Sequence, residues 1–402
     1  MASLGWQSGD VPHRIGILTA GGPAPGLNGV INAVTVSARA RGWTVIGLPQ
    51  GYKHLMAGPE AAAKAARELR EQDVAGIESQ GGSILRMSRS NPGKKEEDLE
   101  RTVAAVRALG LTALVTVGGD DTASAAAKVA DRVGAGFRVA HVPKTIDNDL
   151  PLPGEAPTFG YETAKDVGAQ LCRNLREDAR TTGRWVLVTA MGRSAGHLAV
   201  GMAIGSGADV CVIPEEFPAG PIRLQQVADL VERAVVRRRA EGQDWGLAVL
   251  AEGILDRLEP SELKAVVPGL EFDDHGNPRL SEVDLGKVVR DLVAPRLAEA
   301  KAETGFITKL LGYELRCAPP TAFDIQYTRT LGAGAVEFLA TGSGNAIVTV
   351  RDGRILPLRF EELRDPQTGR VRVRRVDPQG AAWQACLALQ ARDATVSATV
   401  TA

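Results

Sequence analysis

The sequence has few cysteines and few aromatic residues. Only four of its 402 residues are cysteine, and Phe, Trp and Tyr together make up 4%. The cysteines, Cys172, Cys211, Cys317 and Cys386, lie far apart and form no CxxC pair. This spacing argues against a disulfide framework and against a zinc site, and it is typical of a protein in a reducing compartment.

The sequence also lacks a strong net charge and a long apolar run. Lysine and arginine number 47 and aspartate and glutamate 48, so the chain has no excess positive charge with which to bind nucleic acid. No apolar run approaches the ~20 residues of a membrane span. The first ten residues do not show the basic-then-apolar pattern of a signal peptide. We therefore expect a soluble, cytoplasmic protein that binds neither nucleic acid nor membranes.

Short apolar runs alternate with helical segments along the whole chain. Several runs are apolar without alternation, as expected for strands that are buried on both faces of a parallel sheet. Between them lie stripes with helical spacing, such as Leu99, Val103 and Val106. This order predicts an α/β fold with mostly parallel, doubly wound sheets. The predicted strands are RIGILT (14–19), WTVIGL (43–48), ALVTVG (113–118), FRVAHV (137–142), WVLVTA (185–190), ADVCVI (208–213), GLAVLA (246–251) and FITKLL (306–311).

No flexible linker divides the chain, so we expect two lobes that pack directly against each other. The Pro-rich segment LPLPGEAP (150–157) is the predicted crossing between them, and a second crossing is expected near residues 320–325. One lobe would then comprise residues 11–155 plus about 322–355. The other would comprise 156–321 plus about 356–402, with short strands and a final helix in its tail.

Two glycine-rich loops have the composition of phosphate-binding turns. TAGGPAPGLNG (19–29) follows the first strand, and its glycines would let backbone N–H groups approach an anion at a helix N-terminus. It is neither a P-loop nor a GxGxxG fingerprint. GGSILRMSRSNP (81–92) adds Arg86 and Arg89. The alternative for the first loop is a tight turn, and the alternative for the second is a pair of surface arginines.

Two neighbouring strand ends are more specific. VGGDDT (117–122) places Asp120 and Asp121 where a helix begins, and capping of that helix explains one aspartate but not two. A carboxylate at this position suits Mg²⁺. PKTIDND (143–149) follows the next strand, so it should lie at the same sheet edge. An aspartate there could take a proton from a substrate hydroxyl. A lysine and Mg²⁺ could stabilise a transferring phosphoryl group. An Asx-rich turn with a structural ion pair is the alternative.

Three later motifs also follow predicted strands: TAMGRSAGH (189–197), AEGI (251–254) and GYELRCAPP (312–320). Each could be a capped turn or a surface ion pair. We interpret His197 as a packing residue rather than a catalytic one.

Together, GGxxPGxN, GGDDT, PKTIDND, MGR, AEG and GYExR resemble, in order and spacing, the motifs of the phosphofructokinase family from about residue 13 to 350. The resemblance implies the phosphofructokinase fold, with two Rossmann-like lobes and the active site in the cleft between them. It also implies Mg²⁺-dependent phosphoryl transfer to the 1-hydroxyl of fructose 6-phosphate, a reaction of glycolysis and gluconeogenesis.

The resemblance assigns roles to individual residues. Gly21 and Arg89 would contact the phosphoryl donor, Asp120 would bind the magnesium, and Asp147 would accept the proton of the sugar hydroxyl. Arg184 aligns with an arginine that usually reaches into the site of a neighbouring subunit, which implies a homodimer or homotetramer. The remaining sugar-phosphate contacts would come from Thr145, Ile146, Asp147, Met191, Gly192, Arg193, Glu252, Tyr313, Glu314, Leu315 and Arg316.

Two positions bear on the identity of the donor. Relatives that use ATP read GGDGS and PGTIDND, with glycine where this sequence has Asp121 and Lys144. Asp121 would occupy the place of the nucleotide α-phosphate and would repel that phosphate. Lys144 could pair with Asp121 and stabilise the transferring group on pyrophosphate. We therefore expect pyrophosphate as the donor and a reversible reaction. Pro23, where many relatives have aspartate, and Arg86, where ATP-using relatives have a small residue, depart from the family pattern.

Other functions stay open from the residues alone. An ATP-dependent or mixed-donor kinase would share most motifs, and sedoheptulose 7-phosphate is a second candidate acceptor. A dinucleotide-binding oxidoreductase would fit the α/β pattern but lacks the expected glycine fingerprint. A non-catalytic sugar-phosphate sensor would be expected to lose Asp120 or Asp147, and both are present.

Overall fold

The structure is a computed structural model that describes residues 13–266, 283–341, 344–367 and 371–391. The strands in these ranges are β1 (Arg14–Thr19), β2 (Thr44–Gly47), β3 (Arg67–Leu69), β4 (Ala113–Gly118), β5 (Arg138–Pro143), β6 (Arg184–Ala190), β7 (Val210–Val212), β8 (Gly246–Ala251), β9 (Gly305–Leu311), β10 (Asn345–Arg351) and β11 (Arg354–Leu358). The α-helices are α1 (Leu27–Arg39), α2 (Lys53–Met56), α3 (Pro59–Ala65), α4 (Glu96–Ala108), α5 (Asp120–Val133), α6 (Tyr161–Thr182), α7 (His197–Ser206), α8 (Leu224–Ala240), α9 (Gly253–Asp256), α10 (Pro260–Val266), α11 (Leu285–Glu299), α12 (Tyr313–Arg316), α13 (Ala322–Ala340) and α14 (Ala381–Leu389).

Seven strands form the first sheet, in the order β11-β10-β5-β4-β1-β2-β3. The five inner strands are parallel, whereas β3 and β11 pair antiparallel at the two edges. In the sheet, β2 lies on one side of β1 and β4 lies on the other. The order therefore reverses between β1 and β4, the kind of point at which open α/β sheets bind ligands.

The second sheet has four strands in the order β7-β8-β6-β9, and all of them are parallel. The MGR, AEG and GYELR motifs follow β6, β8 and β9 directly. Since the carboxyl ends of parallel strands meet at one edge, these three motifs lie at the same edge of this sheet.

All eight strands predicted from the sequence are confirmed, and so is the α/β class with mostly parallel sheets. Of the three other strands, β11 lies at the start of the tail for which short strands were predicted without bounds, and two strands were missed. Strand β3 has only three residues, too few to show a pattern, and β10 (NAIVTVR) was overlooked although it is apolar and β-branched.

Contacts divide the described chain into two compact units. The first runs up to Ile146 and adds Leu150–Thr163 and Arg316–Arg372; the second consists of Asp147–Asp149, Ala164–Leu315 and the residues from Val373 onward. The predicted lobe boundaries and the cleft site between lobes stay predictions. Each unit has its own apolar core, around Leu18, Leu114 and Val129 in the first and around Trp185, Val231 and Leu250 in the second.

The four cysteines are free thiols. Across the described ranges, no helix combines the length and apolar character that a bilayer crossing requires.

Candidate active site

Three motif-bearing loops leave neighbouring strands β1, β4 and β5 of the first sheet. The register pairs Gly118 with Pro143, so the backbone N–H of Lys144 donates to the carbonyl oxygen of Gly118 at 2.9 Å. On the other side of β4, Ala20 donates to Val117 at 2.9 Å. The sheet thus brings PKTIDND beside VGGDDT, as the sequence predicted, and places both next to the first glycine-rich loop.

The first loop is held by the second glycine-rich segment. The N–H of Gly21 donates to the carbonyl of Ser88 at 2.9 Å, and the hydroxyl of Thr19 donates to the carbonyl of Arg86 at 3.1 Å. Gly21 has φ 86°, which favours glycine, and a Cβ at this residue would meet no atom within 4 Å. The N–H of Gly21 is therefore occupied, and the space where a Cβ would stand is open. Arg89 is exposed one residue beyond the Ser88 contact.

Two cationic side chains lie at Gly22. The amine of Lys144 donates to the carbonyl oxygen of Gly22 at 2.6 Å, although the lysine is only 7% exposed. The guanidinium carbon of Arg316 lies 3.6 Å from the position that a Cβ on Gly22 would take. Arg316 therefore belongs to the first unit, next to the first loop, whereas the preceding Tyr313, Glu314 and Leu315 belong to the second.

Neither aspartate of VGGDDT caps a helix. Helix α5 begins at Asp120, its N-cap is Gly119, and no side chain forms a cap hydrogen bond. Both carboxylates lie in the first turn, where the helix dipole favours negative charge. The side chain of Asp120 is exposed to solvent, yet the protein atoms around it reduce its hydration and raise its pKa to about 6; the charge of Asp121 also raises this pKa and Arg364 lowers it.

The carboxylate oxygens at Asp120 are suitable ligands for Mg²⁺. A poorly hydrated carboxylate beside a second carboxylate is stabilised by a divalent cation, and carboxylate oxygens are preferred ligands of Mg²⁺. No cluster of three or more His, Cys, Asp or Glu side chains that could hold a metal occurs within the described ranges. Phosphate oxygens and water would therefore have to complete the coordination of an ion bound to Asp120, which is the usual arrangement for Mg²⁺ in phosphoryl-transfer sites.

The turn that contains Asp147 has a distinctive backbone. Asn148 has φ 56°, a left-handed conformation that asparagine tolerates better than most residues, and is 9% exposed. On the amino side of Asp147, the carbonyl of Thr145 accepts a 2.8 Å hydrogen bond from Thr158, and Ile146 is buried at 4% exposure. Asp147 itself is half-buried.

The second sheet brings together several predicted sugar contacts. The N–H of Gly192 donates to Oε2 of Glu252 at 3.2 Å, and the N–H of Glu252 donates to the carbonyl of Ala190 at 2.9 Å. The N–H of Met191 donates to the carbonyl of Leu311 at 3.0 Å, which ties the MGR loop to the end of β9. Three of the predicted strand-end motifs thus meet in one place.

The remaining predicted residues differ in burial. Tyr313 is 57% exposed and Leu315 is fully buried. Burial pushes the pKa of Glu314 upward, but hydrogen bonds from its own and Gly312's backbone N–H groups and from Lys309 outweigh this and hold the pKa below its usual value.

The two predicted arginine contacts of the second unit each lie beside a carboxylate. Arg193 lies 3.6 Å from the carboxylate of Asp256, and Arg184 pairs with Asp178 at 2.8 Å.

Sequence reasoning missed three charged residues that lie outside the predicted motifs. Arg364 lies near Asp120, and Arg374 binds the Asp147–Asp149 turn through contacts with Asn148 and Asp149. Asp324 is fully buried and accepts hydrogen bonds from the backbone of Gly160 and from Thr163. The arginine-rich composition of the tail was the only sequence signal for the two arginines, and it did not indicate their partners.

The comparisons with known proteins agree with the resemblance. The sequence profile of the Phosphofructokinase family matches residues 14–339. The pyrophosphate–fructose 6-phosphate 1-phosphotransferase of Thermotoga maritima is 48% identical over 91% of this chain and 87% of its own length. The enzyme of the same name from Naegleria fowleri is 43% identical over 92% of this chain and 86% of its own. An ATP-dependent 6-phosphofructokinase of Chloroflexus aggregans is 34% identical over 87% of this chain and 90% of its own.

Solved structures show the same fold. The T-state phosphofructokinase of Pichia pastoris aligns with a TM-score of 0.69 and 23% identity over 88% of this chain, which spans only 36% of the Pichia chain. A pyrophosphate-dependent phosphofructokinase of Marinobacter aquaeolei aligns with a TM-score of 0.68 and 18% identity over 94% of this chain and 90% of its own. On the family profile and on the relatives that share almost half of its residues, the chain belongs to the phosphofructokinase family.

Proposed function

We propose that this protein transfers a phosphoryl group from pyrophosphate to the 1-hydroxyl of fructose 6-phosphate, giving fructose 1,6-bisphosphate and phosphate. The reaction is Mg²⁺-dependent, runs in both directions and serves glycolysis and gluconeogenesis. Two relatives, 48% and 43% identical, are named for this activity. The observation that carries the proposal is the ammonium of Lys144 at the carbonyl of Gly22, at a position where ATP-using relatives have glycine.

The donor residues of the proposal are Gly21, Arg89, Asp120, Asp121 and Lys144, all in the first unit. The open space at Gly21 suits phosphate oxygens, and the ammonium of Lys144 lies at the carbonyl oxygen of the next residue, Gly22. Asp121 restricts the donor, because a second carboxylate at the start of α5 repels the additional phosphate of a nucleotide. When bound, Mg²⁺ held by Asp120 would neutralise charge on the phosphoryl oxygens.

The chemical step needs a base and a cation. Asp147 accepts the proton of the sugar 1-hydroxyl as its oxygen attacks one phosphorus of pyrophosphate, and the bridging P–O bond breaks to release phosphate. Lys144 stabilises the charge that develops on the transferring group. Because Asp147 is the third residue after Lys144, the two α-carbons lie within about 11 Å of each other.

The proposed contacts of the sugar phosphate include Thr145 and Ile146, which directly precede Asp147 in the chain. Gly192 and Glu252 are already joined by a hydrogen bond, so their loops have a fixed relative position before the sugar binds. The other sugar contacts of the proposal are Met191, Arg193, Tyr313, Glu314, Leu315 and, beside the first loop, Arg316.

We propose further that the enzyme is cytoplasmic and forms a homodimer or homotetramer in which Arg184 reaches the site of a neighbouring subunit. The ion pair of Arg184 with Asp178 is partly solvent-exposed. Such a pair contributes only about 0–1 kcal/mol, so Arg184 could leave it at little cost.

A panel of donors and acceptors tests the proposed function. With Mg²⁺ and fructose 6-phosphate, we expect turnover with pyrophosphate and little with ATP; appreciable ATP turnover would show that the donor assignment is wrong. Fructose 6-phosphate should exceed sedoheptulose 7-phosphate in kcat/KM. Asp121→Gly combined with Lys144→Gly should lower pyrophosphate use, and unchanged donor preference in that variant would refute the role of these two side chains.

A further inference from the structure

One guanidinium binds the turn on which the proposed base lies. Nε of Arg374 donates to the carbonyl oxygen of Asn148 at 3.0 Å, and Nη2 donates to Oδ1 of the same residue. The backbone N–H of Arg374 donates to the carbonyl of Asp149 at 2.7 Å. One residue, 226 positions farther along the chain, thus holds both residues that follow Asp147.

These contacts fix a backbone conformation that would otherwise be unfavourable. Asn148 has φ 56°, a region that costs a non-glycine residue on the order of 1 kcal/mol or more unless the surroundings hold it there. Rotation of Asn148 out of this region would break its carbonyl and its side-chain contacts with Arg374 together. Since Asp147 directly precedes Asn148, the direction of its side chain depends on that conformation.

Arg374 is itself held in place from two sides. Its carbonyl oxygen accepts a 3.2 Å hydrogen bond from Nε2 of His197, and burial, reinforced by the charge of Arg374, lowers the pKa of His197 to about 4, so the ring is a neutral donor at pH 7. Two residues on, the N–H of Val376 donates to Oε1 of Glu215, which also accepts from Gly196. His197 and Gly196 begin α7, which follows the MGR loop of the proposed sugar site.

We propose that Arg374 is a positioning residue of the reaction, which fixes the Asp147–Asp149 turn and couples it to the start of α7. The proposal rests on the proposed function, in which Asp147 accepts the proton of the sugar hydroxyl. It predicts a loss in the chemical step rather than in substrate binding, because a misdirected base affects the transition state and leaves the ground-state contacts intact.

Steady-state kinetics of Arg374→Met and Arg374→Lys, with pyrophosphate and fructose 6-phosphate, test this. We expect Arg374→Met to lower kcat about 100-fold, with each KM within about threefold of the parent enzyme. Arg374→Lys keeps the charge but cannot bind both oxygens of Asn148, so its kcat should recover only in part. Arg372→Met is the matched control: Arg372 also donates to a carbonyl, that of Glu362, at 2.8 Å, and its removal should leave kcat unchanged.

Two further variants separate the possible failures. If the parent enzyme is inactive, or if Asp147→Asn keeps its kcat, the proposed function fails. If Asp147→Asn is inactive but Arg374→Met or Arg374→Lys retains the parent kcat, the positioning role is wrong. Asn148→Ala and Arg374→Met both remove the contact of Oδ1 with the guanidinium, so the combined variant should lose less kcat than the product of the two single losses. Losses that multiply in full, or losses that follow only the folded fraction in thermal melting, would overturn the proposal.

Discussion

Lys144 joins the ends of three strands: its amine donates a 2.6 Å hydrogen bond to the carbonyl oxygen of Gly22, and its backbone N–H donates to Gly118 at 2.9 Å. The residue that follows β5 is thereby connected to the last residue of β4 and to the loop that follows β1. A buried ammonium needs acceptors, and the carbonyl oxygen of Gly22 supplies one. This arrangement suits a lysine that binds an inorganic donor.

The charge of Lys144 should be needed for catalysis. Lys144→Met keeps most of the side-chain volume but removes the charge, so kcat/KM for pyrophosphate should fall by about 100-fold or more. Lys128→Met is a matched control, because the amine of Lys128 also donates to a glycine carbonyl, that of Gly93, at 2.7 Å. Initial rates at varied pyrophosphate measure both variants, and equal losses in the two would contradict a specific role for Lys144.

Asp120 should lower the stability of the folded protein at neutral pH, although its carboxylate is needed for activity. Its pKa is about 6 in the folded protein and near the ordinary 3.8 in the unfolded chain, so the folded state binds more protons between these values and stability falls as the pH rises from about 4 to 6. Asp120→Asn should therefore raise Tm at pH 7.5, with a smaller gain at pH 4, while it abolishes Mg²⁺-dependent turnover.

Thermal melting at the two pH values and a Mg²⁺ titration of the rate provide the measurement. Asp131 lies at an exposed position on the same helix, and Asp131→Asn should change neither Tm nor the dependence of the rate on Mg²⁺. A lower Tm for Asp120→Asn at pH 7.5 would be inconsistent with the raised pKa.

Glu252 should determine sugar affinity. Its Oε2 accepts the N–H of Gly192, and Glu252→Gln weakens that hydrogen bond and removes the charge, so KM for fructose 6-phosphate should rise about tenfold while KM for pyrophosphate stays the same. Glu262→Gln is a suitable control, because Glu262 likewise accepts a backbone N–H, that of Leu224, at 2.7 Å. A rise in KM for pyrophosphate alone would refute the assignment.

Asp324 should be needed for stability. Its carboxylate is fully buried and accepts from Gly160 N at 2.7 Å, Thr163 N at 2.8 Å and Thr163 Oγ1 at 2.6 Å, at the start of α6. Asp324→Ala leaves these buried donors without an acceptor and should cost about 3 kcal/mol of unfolding free energy. Denaturant unfolding measures this, with the exposed Asp166→Ala expected to change stability by less than about 0.5 kcal/mol.

The strands and the donor motifs could be predicted from the sequence, because both are patterns of neighbouring residues. An apolar run such as ALVTVG is buried wherever the sheet lies, so its identity as a strand does not depend on distant contacts. The adjacency of VGGDDT and PKTIDND followed from consecutive parallel strands. Strand β3 was missed because three residues carry too little pattern, and the capping role considered for an aspartate of VGGDDT was not found because Gly119 takes the N-cap position.

By itself, then, the sequence determined the α/β class, eight strands, the family and the residue types of the candidate site, since periodicity and motif spacing are properties of neighbouring residues. The tertiary structure alone decided that Arg316 lies beside Gly22, that Arg374 holds Asn148, and that the surroundings of Asp120 raise its pKa. The physical reason is that hydrogen bonds and hydration depend on distances in space, and residues separated by 226 positions have no pattern in the chain that brings them together.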